Sequence, residues 1–393
     1  MIDPKRIRFV LICLLTLELI SGIEWGIHRG LSSLYAKQVL SISSYIQIGY
    51  IVSVFGLSKA ITNLLFGAIS DRIGRKPVIL LGIILTGLGG ALIGSATEYA
   101  SVLIGTAFIG VGGGATFVGI MVSMIETLPL QIGLGMGLFE LAAYGGSSIG
   151  TYFGGGFSLN YGLRYPFYFF GVLSIIGAAL ILLLLPETNT DKQRGTALYI
   201  TPKRVVRDFI KIAPLCIGGF SSKILDSLVI SFLPLFLVGS QLSLDRVAIV
   251  LSSYTLSWAL LQPVTGHLSD RIGRKAITLI GLAFSSITMV AFTLTVDYIF
   301  LVLLALLLGV EAALFYTPLV AMVSDIAPSE VEGTLIGSYR FFRDIGYFFG
   351  PIILGEIADS YGLNYSIYVA SAIIVSATFI LGLFLEETNP KNI

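Results

Sequence analysis

Ionisable side chains that interrupt long apolar stretches are where this sequence could do chemistry. They are Glu18, Glu24, His28, Arg29, Lys59, Glu140, Lys223, Asp226, Glu311, Arg340, Arg343 and Asp344. Carboxylates in surroundings of low dielectric can take up and release protons, which makes Glu18, Glu24 and Glu311 candidates for moving one. Arg340 and Arg343 offer planar donor forks suited to a carboxylate or a phosphate. His28 follows Glu24 by four residues and shares its helical face, as either a proton relay or a satisfied polar helix end. The competing account is structural, with buried salt bridges fixing helix register. It would pair Glu18 with Lys59, Lys223 with Asp226 one turn on, and Glu140 or Asp344 with the arginines nearby.

Other chemistry has little material. No nucleophile is grouped with a base, and no metal-ligand spacing occurs. The two histidines, His28 and His267, fall at opposite ends of their helices, while Cys13 and Cys216 sit in apolar runs as small core residues. An enzyme is therefore not expected, nor a cofactor. A net charge of +1 argues against a nucleic-acid partner.

The elements that position these charges are membrane spans. With 55% hydrophobic and 12% charged residues and a mean hydropathy of +0.92, the chain cannot present an ordinary water-soluble surface. A crossing helix needs about 20 residues. Apolar runs of that order lie near 7–31, 43–69, 77–96, 100–123, 130–155, 165–185, 212–238, 246–268, 276–295, 298–322, 333–357 and 364–385. A basic start at Lys5, Arg6 and Arg8 resembles a signal peptide, but the run continues through Glu24-Trp25 and reads as a retained first span. Placing both termini in the cytoplasm leaves only Lys37, Arg164 and Arg246 among the loop lysines and arginines on the outer side, the asymmetry expected of a plasma-membrane protein. A rise of about 1.5 Å per residue then puts most of the buried charges near mid-membrane, with Glu24, His28 and Arg29 closer to the outer mouth.

The chain is two copies of one unit. Gly67-Ala68-Ile69-Ser70-Asp71-Arg72-Ile73-Gly74-Arg75-Lys76 returns as Gly266-His267-Leu268-Ser269-Asp270-Arg271-Ile272-Gly273-Arg274-Lys275, an offset of 199 residues (270 − 71) in a chain of 393. Tyr161-Gly162 with Tyr361-Gly362, and Glu187-Thr188-Asn189 with Glu387-Thr388-Asn389, keep nearly the same spacing. The units read as an N-terminal six-helix bundle over 1–185, a cytoplasmic linker over 186–211 and a C-terminal six-helix bundle over 212–393. The repeated GxxxDRxGRK turn resembles the loop between the second and third helices of major facilitator superfamily transporters. Gly146 to Gly155 is similar to the antiporter-associated GxxxGPxxGG with Thr151 in place of proline, while Gly346 to Gly355 keeps Pro351 and loses one glycine. Ordinary helix packing and a hinge are both open for these glycines.

The resemblance implies an all-α membrane protein of 12 transmembrane helices in two pseudo-symmetric six-helix bundles, near the drug:proton antiporter branch. It implies that spans 1, 4, 7 and 10 line a central cavity and that 3, 6, 9 and 12, which here carry no Asp, Glu, Lys, Arg or His, face lipid. It assigns the two turns, Gly67, Asp71, Arg72, Gly74 and Arg75 with Gly266, Asp270, Arg271, Gly273 and Arg274, to a conformational latch. In that latch Asp71 caps the eleventh helix near Gly333 and Asp270 the fifth near Gly133. The expected function is alternating-access secondary transport of a small organic solute, proton-coupled, with the fifth-span glycines favouring efflux. Thr106 stands where the family's antiporters usually carry a fourth-span arginine, so coupling would fall to the acidic residues. Uptake of an organic anion or sugar is the alternative, and a receptor or scramblase a remote one. The expected partners are the solute, protons and the bilayer, with the chain as a monomer.

Overall fold

Helices are forced on this chain by its solvent: hydrocarbon offers the backbone no hydrogen bonds, so each span must satisfy its own. The computed structural model describes residues 4–128, 132–188, 202–327 and 332–388. The first six spans are α1 (Pro4–Gln38), α2 (Tyr45–Ile73), α3 (Arg75–Ser95), α4 (Tyr99–Thr127), α5 (Ile132–Tyr161) and α6 (Tyr165–Leu183). The second six are α7 (Pro202–Ser231) with α8 (Leu233–Gly239), α9 (Leu244–Ile272), α10 (Arg274–Phe292), α11 (Tyr298–Ile326), α12 (Glu332–Asp344) with α13 (Gly346–Tyr361), and α14 (Leu363–Phe384). Ten of these segments are long and apolar enough to cross a membrane on their own. The fifth span, diluted by glycine and serine, and the eleventh, broken at Ile345, complete the twelve.

The duplication explains where only glycine fits. Gly74 and Gly273, ending α2 and α9, have φ of 104° and 116°, and Gly162 and Gly362, opening the sixth and twelfth spans, have 95° and 98°. A side chain would be strained at each. Six spans separate the two DRxGRK turns, so both emerge at one end, the motif end; the opposite end is the far end.

Small residues set the packing inside each bundle. Gly22 and Gly26 of α1 lie against the Ala143 and Ser147 carbonyls of α5, while Gly146 and Gly150 of α5 lie against Leu19 and Ile23 of α1. Gly346 and Gly350 pack in the same way on Phe220, Ile224 and Ser227 of α7. The fifth-span glycines are thus a packing seam in an unbroken helix, whereas the eleventh span breaks at Ile345, next to Gly346. The third, sixth, ninth and twelfth spans turn apolar side chains outward, including Leu88, Ile175, Leu183, Ile287 and Phe379. That face suits acyl chains.

Between bundles the far half is shut. Gly49 and Gly56 of α2 meet Pro351 and Tyr347 of α13, Gly155 of α5 meets Ala248 of α9, and Gly355 meets Ile46. Asp359 near the end of α13 accepts from the Ser44 hydroxyl and the Tyr45 and Ile46 backbone N–H groups that open α2, at 2.7, 2.7 and 3.0 Å. One buried apolar cluster runs through Ile27, Leu31, Ile48 and Ile51 into Leu228, Phe232 and Val250 of the second bundle. Toward the motif end the first bundle has a separate core around Leu14, Ile79, Met124 and Phe139. There, positions 67, 137 and 337 face open space.

Candidate functional site: a charged cavity between the bundles

The cavity lies between these two regimes, about midway along the helices. Glu18 and Trp25 reach it from α1, Lys59 from α2, Glu140 and Tyr144 from α5, Lys223 from α7, Tyr316 from α11, Arg343 and Asp344 from α12 and Tyr347 from α13. Its free volume is about 40 Å³, enough for about three waters. A drug-sized solute needs it wider.

Two cations of the second bundle are met by aspartates of their own helices. Arg343 meets Asp344 at 2.7 Å, and the one-turn pairing of Lys223 with Asp226 is present at 3.3 Å. Asn63 of α2 donates to Asp344 at 3.3 Å, and Arg29 of α1 forks onto Asp226 at 2.5 and 3.2 Å; both contacts cross between bundles. Aromatic rings cover the cations: Lys223 Nζ lies 4.8–5.3 Å from the centroids of Trp258, Tyr316 and Tyr347.

The first bundle behaves differently, and several expected pairs are corrected. Glu18 and Lys59 both reach the cavity but form no ion pair. Lys59 Nζ instead sits 5.0 Å from each of the Trp25 and Phe117 ring centroids, and Glu18 Oε2 has no partner among the described residues. Glu140 does not pair with Arg340. Among the described residues its Oε1 has only the Tyr316 hydroxyl at 3.5 Å, a weak contact, and Oε2 has none. Arg340 lies over Phe117 and against Met121 Sδ at 3.0 Å.

Glu24 and Glu311 do not reach the cavity at all. Glu24 is fully buried inside the first bundle, its Oε1 3.1 Å from the Ser174 hydroxyl of α6. Glu311 accepts from Thr288 of α10 at 2.7 Å. His28 turns to Thr106 of α4 at 3.5 Å rather than to Glu24, which removes the proposed mouth relay. Depth predicted proximity, but a helix turns about 100° per residue. Six residues put Glu24 about 120° round from Glu18, while eleven bring Arg29 back to nearly the same face. That angular count was available from the sequence, as was the aromatic wall at Trp25, Phe55, Phe117, Tyr144, Tyr316 and Tyr347, which carries no charge to draw attention.

The repeated turns form matched networks within their own bundles. Arg75 bridges Asp71 at 2.7 Å and Glu126 at 2.9 Å; Arg274 bridges Asp270 at 3.3 Å and Asp325 at 3.1 Å. Glu187 and Glu387 accept from the first backbone N–H groups of α3 and α10 at 2.9–3.2 Å, a cap favoured by the helix dipole. Thr188 and Thr388 donate to Glu126 and Asp325, each at 2.8 Å. The repeated Glu-Thr pair therefore ties the end of each bundle to its turn. The residues leading into the fifth and eleventh helices, 129–131 and 328–331, lie outside the described residues, as does the 189–201 part of the linker.

The model of the Major Facilitator Superfamily matches residues 14–214 and again 215–393. The multidrug resistance protein MdtG of Proteus mirabilis is 28% identical over 343 residues, covering 83% of this chain and 82% of its own. An MFS-type transporter of Methanocaldococcus jannaschii is 26% identical over 359 residues, covering 88% and 90%. In structure, a bacterial homologue of the human lysosomal transporter Spinster, inward-facing and unoccupied, superposes with a TM-score of 0.80 over 97% of both chains at 16% identity. With the duplicated turns, the twelve spans and the two matched halves in place, the chain belongs to the Major Facilitator Superfamily and is a multi-pass membrane transporter, not an enzyme.

Proposed function

We propose that the chain exports a small amphipathic organic solute by alternating access, exchanging it for protons carried on Glu18 and Glu140. The observation that carries this reading is the pair of cavity carboxylates, each with an oxygen that no donor meets and neither within ion-pair distance of a cation among the described residues. Such groups bind a proton or a cationic solute in turn. The aromatic lining suits a solute with a flat apolar body, and multidrug relatives favour export. The motif end is assigned to the cytoplasm, with both termini, the linker 186–211 joining bundles 1–185 and 212–393, and the plasma membrane as location. In this account Asp71 and Asp270 complete the latch across the bundles near Gly333 and Gly133 when the motif end closes.

The test uses the purified protein in liposomes loaded with a lipophilic cationic dye, with and without an imposed pH gradient. The gradient should drive dye movement in the wild type and not in Glu18→Gln/Glu140→Gln. Dye flux that ignores both the gradient and a protonophore removes the proton from the mechanism.

A second reading, uptake of an organic anion, is favoured by one observation: Lys59 and Arg340 reach the core with no carboxylate partner among the described residues.

A further inference from the structure

Arg29 of α1 crosses the bundle interface to Asp226 of α7, Nη2 to Oδ1 at 2.5 Å and Nη1 to Oδ2 at 3.2 Å. This is the two-pronged seat that a guanidinium offers a carboxylate. The partners are unequally provided for. Asp226 also holds Lys223 Nζ at 3.3 Å, the Tyr254 hydroxyl at 3.1 Å and the Tyr347 hydroxyl, all from its own bundle. Arg29, 4% exposed, has from its own bundle the face of Trp25, with Cζ 4.6 Å from the ring centroid. If the bundles part at the far end, Asp226 keeps a countercharge and two hydroxyl donors. Arg29 loses its carboxylate and keeps the face of Trp25, so its two-pronged fork is open to another carboxylate.

We propose that opening of the far end exposes Arg29 as a binding site for the carboxylate of a small organic acid, which takes the seat Asp226 occupies in the closed form. The inference rests on the alternating-access reading and names the ligand chemistry for the open state. Trp25 supplies more than a floor for the guanidinium. Its indole Nε1 is a buried donor with no partner among the described residues, and Lys59 lies 5.0 Å from the same ring. Arg29, Trp25 and Lys59 thus form a donor strip leading from the far gate into the cavity, with Phe55 beside it for the apolar body of the acid. Asp226 becomes an internal competitor: closure displaces the acid, and the acid in turn holds the gate open.

The test uses the full-length protein in detergent with Cys13→Ala, Cys216→Ala and Ser33→Cys. Ser33 is buried at the far interface, its hydroxyl 3.5 Å from the Ile230 carbonyl of the other bundle, so maleimide labelling there reports opening. Cyclohexanecarboxylate should accelerate labelling about fivefold, and cyclohexanecarboxamide should not. Asp226→Asn should lower the half-maximal acid concentration about tenfold, and Arg29→Lys, which keeps the charge but loses the fork, should raise it by a similar factor. Arg29→Gln should label quickly and ignore the acid. Equal acceleration by acid and amide, or an acid response that survives Arg29→Gln, overturns the site. Labelling that rises in Asp226→Asn while the acid stays inert retains alternation and overturns the site alone. A cysteine that stays unlabelled in every variant overturns both.

Discussion

The two bundles share a fold and a repeated turn but handle buried charge in opposite ways. In the second, Lys223 and Arg343 each have an aspartate on their own helix. In the first, Glu18, Glu24, Glu140, Arg29 and Lys59 have no ion-pair partner in their own bundle among the described residues; they meet hydroxyls, rings, the opposite bundle or nothing. Duplication kept the turns and the packing glycines and left the charges, with the breaks at Phe232 and Ile345, to diverge. The difference suggests a division of labour: the second half holds its cavity cations Lys223 and Arg343 with aspartates of its own, and the first is completed by a partner that can leave.

Removing the carboxylate that both halves share should have the largest effect. Asp226→Ala leaves Arg29 and Lys223 buried without a counterion, and losing one side of a buried pair costs about 3–5 kcal/mol. The melting temperature in detergent should fall well below that of the wild type. Glu24→Gln, in which a neutral amide replaces a carboxylate that meets only the Ser174 hydroxyl among the described residues, should cost less than about 1 kcal/mol. If both variants melt alike, Glu24 is held as firmly as the Asp226 pair and the contrast fails.

A smaller effect sharpens the contrast within cations of similar depth. Lys59→Met removes a charge whose described contacts are aromatic rings, so stability should hold within about 1 kcal/mol while transport falls. Arg343→Met strands Asp344 and should destabilise by about 3 kcal/mol. Thermal melts of the two variants beside a flux assay separate the outcomes; equal destabilisation would place Lys59 among the structural pairs.

How far the sequence foretold this depends on which coordinate of the helix is asked for. Span number and depth were legible because a bilayer imposes a length of about 20 apolar residues. The breaks at Phe232 and Ile345 were not, since interrupting a helix leaves hydropathy unchanged, though Pro234 two residues on was a cue. Depth placed Glu18, Lys59, Glu140 and Lys223 together correctly. Azimuth decided the rest: Glu311 lies five residues before cavity-lining Tyr316, about 140° round the helix, and so faces Thr288 instead. Contacts between bundles, such as Arg29 with Asp226, carry no signal in one sequence because neither residue's neighbours name the other.

The far end supplies the finest test. Asp359 caps the first N–H groups of α2 from the opposite bundle, the role expected of Asp71 at the other end. Burial works to raise its carboxyl, but the Ile46 and Tyr45 N–H groups, the Ser44 hydroxyl and Lys37 outweigh it and hold the group below its ordinary 3.8. For a carboxyl lowered in this way, the contribution is complete above the ordinary value and is lost as pH falls through the lowered one. The site is exposed, so the gain is about 0.5 kcal/mol. Far-end closure, read as maleimide labelling of Ser33→Cys at pH 7 and by an acid-tolerant thiol reagent below it, should stay flat from pH 7 to about 5 and loosen only below about 4. Asp359→Asn should raise labelling about twofold at pH 7 and remove that acid step. A step that persists in Asp359→Asn assigns it to another carboxylate and leaves the far end held by packing and by Arg29 with Asp226.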